Sequence, residues 1–339
     1  MRRVRRCTIT VGDLGEFGLV ARIAGRMPQN PEVLLGPGDD AALVRAPDGR
    51  FVVTTDLLLE GRHFRLDWSS GYDVGRKAAA QNLADVAAMG AEPTALVVAL
   101  GVPAKTETAW ADALADGFRD ECAEVGAAVV GGDVTRSETV VVAVTAFGDL
   151  GGRAPVTRAG ARPGDTVAVT GRLGFAAAGL ALLAEGRAER WRAERAERAG
   201  EPEGEDGLAE LVAAHRRPRP PYACGPEAAR LGATAMLDVS DGLVQDLGHV
   251  AEASGAAIDL EPASLPLPEV LRAAGRLLGT DPFDWVLGGG EDHALAATFP
   301  PGVRLPPHWI VVGRVREGRG VSVLGRPAPH RAGWDHFRE

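Results

Sequence analysis

Lysine is almost missing from this chain. Only two of its 37 basic residues, Lys77 and Lys105, are lysines, so arginine carries nearly all the positive charge. A Walker A loop needs a lysine directly after G-x-x-x-x-G, and neither lysine stands in that position. The V-A-I-K and H-R-D signatures of protein kinases are missing too. These absences exclude a P-loop nucleotide site and disfavour the protein-kinase fold.

Cysteines and long apolar runs are equally scarce. Cys7, Cys122 and Cys224 are scattered and lack C-x-x-C spacing, which predicts neither a disulfide framework nor a thiolate zinc site. No stretch reaches the roughly 18–20 apolar residues of a membrane span. The arginine-rich start, residues 2–6, is not followed by an apolar run of signal-peptide length. We therefore expect a soluble cytoplasmic protein without a membrane partner.

Acidic side chains outnumber basic ones, 46 to 37, which gives a formal net charge of −9. Nucleic acids and acidic membrane surfaces carry the same sign of charge and would repel such a chain. This balance predicts no nucleic-acid partner. A small molecule is the more fitting partner.

The length of 339 residues predicts two domains. Residues 151–164 are rich in glycine and proline and mark a boundary between an N-terminal domain, 1–150, and a C-terminal domain, 151–339. A charged insert at about 186–207 repeats R-A-E-R and ends in Glu, Pro and Gly. We expect it to be an exposed extension without chemistry.

Hydrophobic periodicity predicts a two-domain α+β or α/β protein. In the N-terminal domain we predict strands at 51–56, 94–101, 127–131 and 139–148 and helices at about 72–89 and 106–125, a βαββαβ-like pattern. For the C-terminal domain we predict strands at 166–170, 234–239 and 256–260, helices at 173–184, near 222–231 and at 241–254, and further helices and short strands to 324. This alternation is typical of a layered α/β domain.

Carboxylates are concentrated where apolar strand-like runs end in small or hydroxyl residues. The five places are Asp39–Asp40, Asp56, Asp133, Asp238 with Asp241, and Glu291–Asp292. A single acid of this kind usually belongs to a turn or a helix cap. Five such places, next to glycines that let backbone amides approach phosphate oxygens, favour a ligand crevice.

Clustered carboxylates need counter-charge, which two lysines cannot supply. Oxygen ligands without nearby thiolates or histidines favour Mg²⁺ or Mn²⁺ over zinc. Such ions also assist phosphoryl transfer. Asp85 is a separate case, because Lys77, Gln81 and Asp85 share one helix face that is either a solvated stripe or the side of a metal site.

Two other patterns are weaker. Residues 36–41, GPGDDA, match the dinucleotide-binding fingerprint G-x-G-x-x-G/A poorly, because Pro37 stiffens the loop and two acids would face a pyrophosphate. His63, one of seven histidines, is either a polar loop side chain or a substrate contact.

Several segments together resemble the thiamine-monophosphate kinases of the aminoimidazole ribonucleotide synthetase-like superfamily. They are LGPGDDAAL, TTDLLLEGRHF, GRKAAAQNLADVAAMGAEP, VVGGDVTR, PVTRAGARPGD, LDVSDGLVQDLGHV, VLGGGEDHAL and the terminal GWDHF. The resemblance runs from Gly15 to Phe337. It implies ATP-dependent phosphorylation of thiamine monophosphate to thiamine diphosphate with several Mg²⁺ ions. It also implies a homodimer that pairs through the sheets of the N-terminal domains, with the C-terminal domain completing the nucleotide and substrate site.

The resemblance also assigns site residues. The metal ligands it implies are Asp40, Thr54, Thr55, Asp56, Asp85, Asp133, Asp238 and Asp241. The ATP contacts it implies are Gly132, Asp133, Arg158 and Ser240, and the substrate contacts are His63, Glu291 and Trp334. Asp56, Asp133 and Arg158 are the expected catalytic residues. Trp334 stands where the family often has tyrosine, and Thr54 where it often has serine.

A phosphate monoester is largely dianionic at neutral pH, because its second pKa is about 6. The acceptor therefore needs no strong base, and we expect direct in-line transfer of the γ-phosphoryl group. Two alternatives remain open at this point. One is another ATP-dependent enzyme of the superfamily, of the ring-forming synthetase type, and the other is a non-catalytic nucleotide or metal sensor.

Overall fold

The computed structural model describes residues 9–37, 41–186, 206–325 and 333–334, apart from the side chains of Glu16, Phe17 and Asp206. The predicted ligand Asp40, the arginine-rich start and nearly all of the charged insert lie outside the described residues. The chain divides into two compact units. Unit 1 comprises Met1–Val86 and Pro93–Gly151, and unit 2 comprises Ala87–Glu92 and Gly152–Glu339.

Unit 1 is built on a four-stranded sheet with helices and a short two-stranded sheet. Its elements are α1 (Val11–Ala24), β1 (Val33–Leu35), β2 (Leu43–Val44), β3 (Val52–Leu59), α2 (Gly71–Ala88), β4 (Glu92–Val102), α3 (Thr108–Ala123), β5 (Ala128–Arg136) and β6 (Val141–Asp149). The strand order is β3-β6-β4-β5, with β1 and β2 pairing separately.

The predicted βαββαβ label is wrong, whereas the predicted element bounds, taken in chain order, give the βαβαββ order of β3 to β6. Helices alternate with β3, β4 and β5, and the consecutive strands are β5 and β6. The physical reason is that β4 and β5 are parallel neighbours, which requires a long crossover, and α3 supplies it. β6 then lies between β3 and β4 and pairs with β3 in antiparallel register.

Two strands run further than the sequence predicts. β3 continues to Leu59 and β5 to Arg136, so Asp56 and Asp133 lie inside strands and not at their ends. Glycine normally weakens a strand, which is why Gly131–Gly132 looks like a stop. Here a Cβ on Gly132 would meet the Val98 carbonyl oxygen at 2.0 Å, so glycine permits the close approach of β5 to β4.

Close backbone approach also joins α2 to α3. A Cβ on Gly71 would lie 2.2 Å from the Trp110 carbonyl oxygen, and one on Gly75 would lie 2.1 Å from that of Leu114. From the other side, a Cβ on Gly117 would lie 2.3 Å from the Tyr72 carbonyl oxygen. The helices therefore touch through their main chains. This contact sets the position of α2, the helix that carries Gln81 and Asp85.

Unit 2 is a six-stranded sheet covered by helices. Its elements are β7 (Thr166–Thr170), α4 (Phe175–Ala184), α5 (Asp206–Arg216), α6 (Cys224–Leu231), β8 (Ala235–Val239), α7 (Leu243–Ser254), β9 (Ala257–Leu260), α8 (Glu269–Leu278), α9 (Pro282–Gly288), β10 (Ala294–Phe299), β11 (Ile310–Arg316) and β12 (Gly320–Val323). The strand order is β12-β9-β11-β7-β10-β8. Every residue of β8 and β10 is buried, as in a sheet covered on both faces.

Most predicted elements are confirmed within a few residues, and the whole is a mixed α/β, two-unit structure. One prediction in unit 2 is wrong. The apolar run before Glu291–Asp292, expected to be strand-like, is helical: Val286 and Leu287 lie in α9, where Asp281 caps the helix and Pro282 occupies its first turn. Glu291–Asp292 therefore lies between a helix and β10. No helix in the described part of the chain is both long and apolar enough to cross a membrane.

The α2–α3 contact yields a stability prediction. Gly75→Ala should lower the free energy of unfolding by about 1–3 kcal/mol, because the new methyl group forces the helices apart. Gly248→Ala in α7 is the matched control. Nothing lies within 4 Å of its added Cβ, so helix propensity alone should raise stability by up to about 1 kcal/mol. Thermal unfolding of both variants tests this, and equal shifts would contradict it.

Candidate functional site

In unit 1, two of the predicted acids, Asp56 on β3 and Asp85 on α2, each accept a hydrogen bond from a residue of the other element. The Thr54 hydroxyl donates to Oδ2 of Asp85 over 2.8 Å, and the Gln81 amide donates to Oδ2 of Asp56 over 3.0 Å. We call these four residues the unit 1 acid cluster. All four side chains are half-buried. The helix face with Gln81 and Asp85 is therefore packed against β3, which excludes the solvated stripe.

Lys77 on α2 contacts the loop that follows β3. It is buried, with 3 % exposure, and its ammonium donates to the His63 carbonyl oxygen over 2.9 Å. The His63 Nδ1 accepts the Leu59 amide over 3.0 Å. These contacts fix the loop and orient the imidazole of His63, a predicted substrate contact.

Thr55 is separated from the unit 1 acid cluster. Successive strand residues point to opposite faces, so the side chains of Thr54 and Asp56 share one face and that of Thr55 lies on the other. There the Thr55 hydroxyl donates to the Val144 carbonyl oxygen over 2.9 Å and accepts from the Thr145 hydroxyl. The structure thus divides the predicted Thr54–Thr55–Asp56 ligand set.

Gly132 and Asp133 are exposed on β5. They contribute to the wall of a cavity of about 840 Å³ within unit 1. The rest of the wall is mainly apolar and includes Met27, Phe118 and Phe147. A cavity of this size accommodates a small organic ligand.

In unit 2, Asp238 is buried near the end of β8. Its Oδ2 lies 2.9 Å from Nδ1 of His293, which is also buried. Glu291 and His293 have φ angles of 66° and 52°, a left-handed conformation that is unusual outside glycine. Their amides donate to the Ser240 and Val239 carbonyl oxygens over 2.8 and 3.1 Å. The main chain of β8 thus holds this strained turn in place.

The same turn gathers several predicted residues of unit 2. Glu291 bonds to Ser240 through its main chain, and the Trp334 amide donates to the Asp241 carbonyl oxygen over 3.0 Å. The Trp334 side chain is 48 % exposed. On the other side of Glu291, its carboxylate lies 3.1 Å from Nδ1 of the buried His215.

A buried carboxyl organises the loop after β8. The Asp241 and Gly242 amides both donate to Oδ2 of Asp246 over 3.0 Å. Burial raises the pKa of Asp246 to about 7; the two amide bonds oppose that rise, and the neighbouring Asp238 and Asp241 charges add to it. Asp246 therefore fixes the main chain at Asp241.

Arg158 is placed apart from these residues. Its side chain is exposed, and its carbonyl oxygen accepts the Ser254 hydroxyl over 3.2 Å. Ser254 ends α7, whereas Asp241 precedes that helix. At 1.5 Å per residue, the length of α7 separates the two positions by about 17 Å. The main chain of Arg158 therefore lies at the end of α7 opposite Asp241, and its role as an ATP contact stays a prediction.

Comparisons with known proteins extend over nearly the whole chain. Residues 38–150 match the family model for the N-terminal domain of AIR synthase related proteins. The chain is 51 % identical to a thiamine-monophosphate kinase of Mycobacterium tuberculosis over 97 % of its own length and 94 % of that protein. The chain belongs to the thiamine-monophosphate kinase family.

Two solved structures of this family are similar to the kinase described here. One is the thiamine-monophosphate kinase of Stenotrophomonas maltophilia K279a, with a TM-score of 0.77, 34 % identity, and coverage of 93 % of this chain and 96 % of that chain. The other is AaThiL complexed with AMPPCP and TMP, with a TM-score of 0.75, 33 % identity, and coverage of 98 % and 100 %.

Sequence reasoning missed several buried polar residues of the kinase: His215, Asp246 and His293. Asp246 and His293 lie inside the motifs LDVSDGLVQDLG and GGGEDH, so their positions are a signal that could have found them. His215 follows an ordinary helical pattern in α5 and carries no such signal. Only the fold brings it to Glu291.

Asp292 of the kinase yields a prediction on pH dependence. Its side chain is buried and accepts the Ala176 amide at the start of α4 over 2.9 Å. Burial raises its pKa to about 7 despite the amide bonds and the nearby His293. Between the ordinary value of 3.8 and about 7 the folded state binds more protons, so stability falls as pH rises through this window.

Asp292→Asn removes that titration. As pH rises from about 5 to about 8, the unfolding free energy of the variant should improve relative to wild type. Chemical denaturation across this range measures the difference. Asp67→Asn is the control. The Arg65 side chain holds the pKa of Asp67 below its usual range, so the difference in unfolding free energy between this variant and wild type should not change from about pH 5 to about pH 8. A flat difference for Asp292→Asn as well would contradict the prediction.

Proposed function

We propose that this kinase transfers the γ-phosphoryl group of ATP to thiamine monophosphate and produces thiamine diphosphate. The observation that carries this proposal is 51 % identity to a protein named thiamine-monophosphate kinase over 97 % of the chain. A structure named as a complex with AMPPCP and TMP, which covers 98 % of the chain, supports an adenine nucleotide and TMP as ligands.

The donor chemistry of the site supports Mg²⁺ as the cofactor. Asp56, Asp85 and Thr54 offer hard oxygen donors on one side of β3, and the described contacts of the two acids include neutral groups. Such donors suit Mg²⁺, with Mn²⁺ as a substitute. We propose that the ions are held in unit 1 by Thr54, Asp56, Asp85 and Asp133, and in unit 2 by Asp238 and Asp241. Asp40 stays a prediction, because it lies outside the described residues.

When bound, Mg²⁺ neutralises charge on the donor and acceptor phosphates. The chain's own residues do the rest of the work by binding and orienting the substrates. Gly132 and Asp133 are exposed on β5, and Ser240 offers a hydroxyl at the loop that Asp246 fixes. The ATP contacts that we propose are Gly132, Asp133, Ser240 and Arg158.

For the acceptor we propose His63, Glu291 and Trp334. Trp334 offers a half-exposed aromatic face on which a planar ring can stack. Glu291 offers a carboxylate to a positively charged heterocycle. The phosphate of the acceptor is already largely dianionic at neutral pH, so the transfer proceeds in line without a strong base or a covalent phospho-enzyme.

The outer face of the unit 1 sheet supports the proposed homodimer. Val53 and Leu57 are 53 % and 46 % exposed on the β3 face that also carries Thr55, and Phe51 just before it is 57 % exposed. Apolar side chains in such a row lose contact with water when a second sheet covers them. We propose that the sheet of the partner subunit does so.

One assay tests the proposed reaction. The protein is incubated with ATP, Mg²⁺ and thiamine monophosphate, and thiamine diphosphate and ADP are quantified. We expect one ADP for each thiamine diphosphate. ADP release that requires an aminoimidazole precursor instead would assign a ring-forming synthetase. ATP binding without ADP release for any acceptor would assign a sensor.

The roles of the acids yield a further prediction. Asp56→Asn or Asp133→Asn should lower kcat by at least about 100-fold, equivalent to about 2.7 kcal/mol, because each removes a charge that we assign to metal binding. Thermal unfolding should remain close to that of wild type. Asp116→Asn is the control, since Asp116 pairs with Arg119 on the surface of α3. Wild-type rates in the folded Asp56 and Asp133 variants would overturn the assignment.

A further inference from the structure

A second group of potential metal ligands lies in unit 2, on residues that the proposed kinase reaction does not use. Cys224, Glu227 and His308 each offer one donor atom, and the three atoms all lie within 4.8 Å of one another. We call them the Cys224 cluster. Sulfur, oxygen and nitrogen meet there, in contrast to the oxygen donors assigned to Mg²⁺.

The local fold explains why these residues meet. Cys224 is the first residue of α6 and Glu227 lies three positions later, so both side chains lie on one helix face. His308 comes from the segment that leads into β11 at Ile310. The histidine is 84 positions after the cysteine, since 308 − 224 = 84, and only the fold brings the two together.

Glu227 is held in an ionised and oriented state. Its Oε2 accepts the indole N–H of Trp309 over 3.0 Å and lies 2.7 Å from Nε2 of His308. Burial acts to raise the pKa of Glu227, but the hydrogen bonds from His308 and Trp309 outweigh it and lower the pKa. Trp309 itself is buried and packs edge-on against Phe299, with ring centroids 5.3 Å apart. The carboxylate therefore rests on a rigid support, as metal-binding carboxylates commonly do.

Cys224 and His308 provide the remaining donors. The Cys224 thiol is half-buried, and its sulfur lies 3.8 Å from the Thr170 hydroxyl oxygen at the end of β7. Burial raises the pKa of this thiol, so a metal that binds it as thiolate displaces a proton. The His308 side chain is 47 % exposed, so its ring is free of close packing on one side and able to turn.

We propose that Cys224, Glu227 and His308 bind one Zn²⁺ ion. Zinc accepts thiolate, imidazole and carboxylate together, and three protein ligands leave a fourth position for water. Tetrahedral zinc donors stand about 3.3–3.6 Å apart. Nε2 of His308 lies 2.7 Å from Oε2 of Glu227 and has to move slightly away from it, and the Cys224 sulfur lies within 4.8 Å of both donor atoms. Mg²⁺ avoids thiolate, which separates this site from the proposed catalytic one.

The consequence of binding is a crosslink within unit 2. The ion ties the start of α6 to the segment before β11, two places joined in sequence only through β8, α7 and the following elements. Because the site needs the fold to assemble, zinc should stabilise the folded state, by an amount that grows with the logarithm of its concentration above the Kd. The proposal does not depend on the proposed kinase reaction.

Cobalt(II) spectroscopy of the full chain tests the proposal. Protein freed of metal with a chelator and kept reduced is titrated with Co²⁺. We expect one equivalent to produce a thiolate-to-cobalt charge-transfer band in the near ultraviolet, which zinc then abolishes. Cys224→Ser should remove the band, and His308→Ala and Glu227→Gln should weaken Co²⁺ binding at least about tenfold.

Two matched controls keep the result specific. His249→Ala removes an exposed histidine of α7, and Cys122→Ser removes the buried thiol of α3; both should retain the band and the affinity. Zinc should also raise the unfolding temperature of wild type and not that of His308→Ala, a surface variant expected to fold. A band that persists in Cys224→Ser, or its absence in wild type, would overturn the proposal.

Discussion

The candidate site rests on one constraint: its carboxylates must be fixed without losing their charge. The Gln81 amide holds Asp56, and the Thr54 hydroxyl holds Asp85. A neutral donor orients a carboxylate without cancelling its negative charge. An arginine in the same place would cancel that charge. The scarcity of lysine in the sequence agrees with this arrangement.

The second support of the site is main-chain geometry. Glu291 and His293 adopt left-handed conformations, each of which costs about 1–3 kcal/mol. The β8 main chain stabilises them, and a Cβ on Gly290 would approach the Ser240 carbonyl oxygen to 2.2 Å. This tight turn brings His293 onto Asp238. Strain of this kind persists only where the surrounding fold compensates for it.

The chain separates two donor chemistries. The proposed Mg²⁺ ligands are carboxylates and a hydroxyl, whereas the Cys224 cluster combines sulfur, nitrogen and oxygen. Mg²⁺ avoids thiolate, so the Cys224 cluster does not compete for the ion of the proposed catalytic site. One fold therefore has room for a catalytic ion and for a structural ion that acts on stability alone.

The sequence by itself determined the family, most helices and strands, and the acids of the motifs, because hydrophobic periodicity and residue type are local. It misplaced the ends of β3 and β5, since pairing with neighbouring strands carries them past Asp56 and Gly132. Only the tertiary structure decided which face Thr55 occupies, that His215 reaches Glu291, and that a cysteine, a glutamate and a histidine converge. Side-chain direction and contacts between distant segments depend on strand register and helix packing, which no local pattern specifies.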